Sequence, residues 1–134
     1  MSEPIRVFVV DDHADVRRAL AAQLAAAPDV QVVGEAGDAE AALNQIRAQP
    51  VEVALVESKR ADGRGLELIS CLVQSNHVRL VLVLTSYPSE WERWAAHRAG
   101  AARYLLKDIG SSELIALIRR AVAELPPLAR PQFA

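Results

Sequence analysis

Five short runs of apolar, mostly β-branched residues punctuate the chain: Ile5 to Val10, Val30 to Val33, Val51 to Val56, Val78 to Leu84 and a weaker Ala102 to Leu106. Continuous runs, rather than strict alternation, suit strands buried on both faces of a parallel sheet. Stretches with helical spacing lie between them. Val16, Leu20 and Leu24 recur every four residues. Asp38 is placed to cap a helix carrying Ala42, Leu43 and Ile46. Leu66, Ile69 and Leu72 or Val73 form a third stripe, and Trp91, Trp94 and Ala95 a fourth. Ser111 reads as the N-cap of a helix with Leu114, Leu117, Ile118 and Val122 inward. Gly34 to Gly37, Gly63 to Gly65 and Gly100 mark turns.

Alternation of five strands with five helices predicts an α/β domain. Right-handed crossovers leave few topologies, and the flavodoxin-like doubly wound (βα)5 sheet, order 2-1-3-4-5, leads among them. The 134 residues are one domain's worth. We assign residues 1–124 to the domain and 125–134, with three prolines, to a tail or the start of a linker.

In this order the carboxyl ends of neighbouring strands converge. Strand 1 ends in Asp11 and Asp12, strand 3 in Glu57, strand 4 in Thr85 and strand 5 in Lys107. Three gathered carboxylates repel one another and call for a divalent cation or an ammonium. Lys107 supplies the ammonium, and Thr85 a hydroxyl able to bond a phosphate oxygen. The set reads as a metal-assisted phosphoryl site. A DD pair alone is weak support, because aspartates are common in turns. The joint pattern, one residue type per strand end, is far more specific.

The remaining composition mostly excludes. A net charge of −2 gives no strong attraction to nucleic acid or anionic membrane. No apolar run approaches the roughly 20 residues that span a bilayer. A single cysteine and no secretory signal favour the cytoplasm. His13, His77, His97 and Cys71 show no zinc-like spacing. The acid turn after strand 1 is the opposite of a Gly-rich nucleotide loop. An enzymatic alternative, a metal-dependent phosphotransferase of haloacid-dehalogenase type, needs D-x-D after strand 1, where this chain has Asp11-Asp12-His13.

Val9 to His13, Val81 to Ser86 and Gly100 to Asp108 resemble the corresponding segments of bacterial response-regulator receiver domains, CheY-like and closest to those preceding a LuxR-type helix-turn-helix output. The resemblance spans roughly residues 4–124. It implies phosphorelay signalling without enzymatic turnover. It also implies Mg²⁺ held by Asp11, Asp12, the acceptor side chain and the Lys59 backbone carbonyl. Thr85 and Lys107 would sense phosphate, and Tyr104 would be the aromatic switch on strand 5. A histidine kinase or other signalling protein is the implied partner, with a homodimer as a further expectation and DNA contact only through an output domain outside these residues. The chain departs from the family at the acceptor, where Glu57 stands in place of aspartate, and Ala61 occupies the usual proline position. The extra methylene moves the carboxylate by roughly 1.5 Å, which predicts slow or absent phosphorylation and weakened or absent Mg²⁺. An ion pair from Glu57 to Lys107 would imitate part of a phosphoryl group's effect; the competing expectation is that Glu57 fills the metal site and freezes one state. Asp62 as a substitute acceptor is far less favoured than a solvated loop aspartate.

Further residues carry smaller expectations. Trp94 is expected in the core and Trp91 exposed as an interface anchor. His97 is expected buried or semi-buried on the Trp94 side, and Cys71 as a small core residue.

Overall fold

The computed structural model describes residues 3–58 and 63–126. Five parallel strands, β1 (Ile5–Val10), β2 (Val30–Ala36), β3 (Val51–Val56), β4 (Val78–Thr85) and β5 (Arg103–Leu106), form one sheet in the order β2-β1-β3-β4-β5. Five helices alternate with them: α1 (Ala14–Ala25), α2 (Ala39–Ala48), α3 (Gly65–Gln74), α4 (Glu90–Ala99) and α5 (Ser111–Ala123). This is the flavodoxin-like arrangement expected from the apolar runs.

The sheet divides the core in two. Successive strand side chains point to opposite faces, so Phe8 and Val10 join Ala54, Val56, Val81 and Val83 beneath α2, α3 and α4. Val7 and Val9 join Leu55, Leu82 and Leu84 beneath α1 and α5. The central strands are buried on both faces, which is why their sequences are continuously apolar.

Helix ends follow local chemistry. Asp38 caps α2 by accepting from the Ala41 N–H, and Ser89 caps α4 by accepting from Glu92 N–H. The α5 cap is Gly110, so Ser111 is the first helical residue rather than the cap. Gly34 lies inside β2, not in a turn. Gly100 closes α4 at φ 110°, and a Cβ there would also meet Val73 Cγ1 at 2.7 Å.

Several inward expectations are corrected. On α1, Ala21 and Leu24 are buried while Val16 is 43% exposed. On α3, Leu68, Ile69 and Leu72 face the core, Cys71 is exposed, and Val73 lies at the surface beside Gly100 of α4. Helix α4 is turned most: its buried residues are Glu92 and Ala96, whereas Trp91 is 67% and Trp94 59% exposed. Glu92 and Ala96, four residues apart, share the inward face of α4, which puts Trp94, midway between them, on the opposite face. Trp94 instead lies under the Arg98 guanidinium, 5.5 Å from its ring, on the outer surface. His97 is exposed with it. Trp91 is outward, as expected.

Past α5, Leu125 N–H donates to Val122 O and Pro126 O accepts from Arg79. The rest of the proline-bearing tail, from residue 127, lies outside the described residues.

Candidate functional site

The carboxyl edge of the sheet is set by ladder bonds that run one residue past the strands. Asp11 N–H donates to Ala36 O, Glu57 N–H to Val10 O, and Lys107 N–H to Thr85 O. The backbone thereby fixes where these three side chains start, whatever their charges prefer.

Their side chains meet. Lys107 Nζ donates to Asp11 Oδ2 at 2.5 Å and lies 2.8 Å from Glu57 Oε1. Both acids have side chains only 4% exposed, and Lys107 is 15% exposed. Burial alone would raise the Asp11 carboxyl, but hydrogen bonds from Lys107 and the His13 N–H outweigh it and hold the group below its ordinary value. Burial pushes the Lys107 ammonium down, and its bonds to Asp11 and Glu57 more than reverse that, so it stays charged beyond the usual lysine range. Asp11 Oδ1 also accepts from His13 N–H at 2.9 Å. Arg17 completes the rim: it donates to Asp11 O at 2.7 Å and to Glu35 Oε1 at 2.9 Å.

The other expected residues are placed around this triad. Asp12 is half-buried beside it. Thr85 is fully buried, and its hydroxyl accepts from Tyr87 N–H at 3.1 Å, turning the chain toward α4. Lys59 and Asp62 lie outside the described residues. Gly65 lets α3 begin directly against the loop after β3, because a Cβ there would lie 1.9 Å from Ser58 O.

A third buried carboxylate was not anticipated from the sequence. Glu92 on α4 is 5% exposed and accepts from Ser58 Oγ at 2.9 Å and from the Tyr104 hydroxyl at 2.5 Å. Tyr104 therefore turns inward, and its hydroxyl also accepts from Ser89 N–H at 3.3 Å. Burial, then the bond to Glu92, pushes the phenol up to about 12. Ser58 directly follows Glu57, so Ser58, Glu92 and Tyr104 connect the edge of the site to β5. The only sequence signal was a glutamate three residues past the Ser89 cap, which also describes an ordinary surface capping residue.

Among the described residues, no group of three or more His, Cys, Asp or Glu side chains is arranged to hold a metal ion. Receiver domains generally bind Mg²⁺ at their phosphorylation site. Here the ammonium of Lys107 lies between Asp11 and Glu57, two of the side chains the resemblance implies as ligands.

The strand order brings the acids after β1 and β3 and the lysine after β5 to one edge of the sheet. Comparison with known proteins makes the class specific. The response regulator receiver domain family matches residues 7–119. The transcriptional activator DevR/DosR of Mycobacterium tuberculosis is 39% identical over 115 residues, covering 86% of this chain and 53% of the relative. The transcriptional regulatory protein LiaR of Bacillus subtilis is 33% identical, covering 92% and 59%. A signal receiver domain from Mycobacterium tuberculosis superposes with a TM-score of 0.83 at 30% identity, covering 92% of this chain and all of that one. The chain belongs to the response-regulator receiver family of two-component signalling. It spans little more than half the length of these curated relatives. The family assignment gives the haloacid-dehalogenase alternative no support. No described helix is long and apolar enough to cross a membrane.

Proposed function

We propose that this receiver signals through protein contacts without depending on a phosphorylated strand-3 side chain. The observation that carries the reading is the Lys107 ammonium shared by Asp11 and Glu57, both almost fully buried. A receiver lysine that senses phosphate needs an anionic oxygen to hold. Glu57, one methylene longer than aspartate, offers that oxygen permanently. It carries one negative charge where a phosphoryl group would bring nearly two, so it imitates part of the phosphorylated state. In-line phosphoryl transfer needs the nucleophile within about half an ångström of its productive position, and a glutamate engaged with Lys107 does not satisfy that. With the ammonium between two of the acids, Mg²⁺ binding is weak. The chain acts in the cytoplasm as a non-enzymatic module. Its partners are a histidine kinase or another signalling protein, or a second copy of itself, with the exposed Trp91 as a contact residue. DNA binding belongs to an output domain such as the one its longer relatives' names imply.

Intact-mass spectrometry after incubation with acetyl phosphate and Mg²⁺ tests this reading, with Glu57→Asp alongside. The expected result is no mass gain for the native chain and one phosphoryl group on Glu57→Asp. A phosphoryl group on the native chain, at Glu57 or at a substitute such as Asp62, would overturn it.

A further inference from the structure

Between α4 and the edge strand β5 lies a cavity of about 320 Å³, lined by Arg93, His97, Ala101, Ala102, Arg103 and Tyr104. Its chemistry is opposite to that of the chain as a whole, which carries a net charge of −2. Arg93 approaches from the helix, Arg103 from the strand, and the His97 imidazole from one turn further along α4. Arg93 sits over the Tyr104 ring, 5.1 Å from its centroid, so the ring helps hold the guanidinium in place.

The acids near this cleft leave its cations available. Glu90 and Glu124 lie 3.8 Å from Arg93 and Arg103, with side chains 94% and 71% exposed. Such exposed pairs are weak and salt-screened. Glu92 is directed inward, to Ser58 and Tyr104. Two guanidiniums facing one concave space can bind phosphate oxygens in bidentate fashion. The volume is at the small end of ligand sites, which suits a small molecule rather than an extended polymer.

We infer that the α4–β5 cleft binds a small phosphorylated ligand through Arg93 and Arg103, and that Tyr104 forms the wall that registers it. The hydroxyl of that wall is bonded to Glu92, and Glu92 to Ser58, next to Glu57. Drawing Arg93 off the ring changes the surroundings of Tyr104, and the change reaches the edge of the site along these two bonds. The inference does not depend on whether Glu57 accepts phosphate, so it can fail without the proposed function failing.

The probe is inorganic pyrophosphate, titrated into the full chain at constant ionic strength and followed by calorimetry and by backbone amide shifts. Binding should saturate, with shifts centred on residues 93, 97 and 102–104 and a smaller one at Ser58. The double variant Arg93→Ser, Arg103→Ser alters only exposed side chains and should bind at least about ten-fold more weakly. In Glu92→Gln the cleft shifts should persist while the Ser58 shift shrinks. Linear, non-saturating shifts, shifts centred elsewhere, or undiminished binding by the double variant would overturn the site. A Ser58 amide that does not move in the native chain would overturn the coupling.

Discussion

Two buried carboxylate centres lie within one small domain, and they are satisfied in different ways. At the carboxyl edge of β1 and β3, Asp11 and Glu57 share one ammonium. Under α4, Glu92 accepts from the Ser58 and Tyr104 hydroxyls. The first centre is held by charge, and removing its cation leaves an excess of negative charge in a place water hardly reaches. At the second, the Ser58 and Tyr104 hydroxyls are neutral donors that can rotate away one at a time. The first therefore suits a fixed state and the second a movable connection.

Lys107→Met should separate the two centres most sharply. It removes the ammonium between the acids at a site fixed by the sheet, and we expect a loss of about 3 kcal/mol in chemical denaturation. Adding Glu57→Gln should recover a substantial part, since the repulsion then falls. Glu92→Ala should cost less, about 2 kcal/mol, because the Ser58 and Tyr104 hydroxyls lose an acceptor in a buried place. Tyr104→Phe should cost about 1 kcal/mol and leave the edge triad intact, seen as unchanged Asp11 and Lys107 resonances.

The edge centre also sets a pH response. Asp11 is held below its ordinary value of 3.8, so its contribution is present above that value and is lost as pH falls through the lowered one. Lys107 is held above 10.5, so its contribution is complete below that pH and is lost as alkali titrates the ammonium. Thermal unfolding of the native chain should steepen outside this window, and Lys107→Met should flatten the acid limb. The smallest effect is expected at Trp94→Ala, under about 0.5 kcal/mol. A larger loss there would mean that the indole contributes to packing despite its exposure.

The sheet order and the meeting of Asp11, Glu57 and Lys107 were legible in the sequence for the same reason. Strands buried on both faces write themselves as apolar runs, and the residue ending each run falls on one edge. Helix α4 was not legible. Its two tryptophans outweigh the rest of its apolar pattern, yet the inward place belongs to Glu92, because two hydroxyls distant in sequence meet it there. A pairing of that kind leaves no periodic trace. Cys71 and Val16 failed for a simpler reason: the inward faces of their helices are held by Leu68, Ile69 and Leu72 and by Ala21 and Leu24.

The most direct measurement is a double-mutant cycle between Glu57→Gln and Lys107→Met, read as unfolding free energy at neutral pH. If the buried glutamate and the lysine act as a pair, the cycle should give a coupling of about 1.5–3 kcal/mol. A coupling below about 0.5 kcal/mol would contradict the reading, since Glu57 would then be doing nothing for Lys107 that glutamine could not.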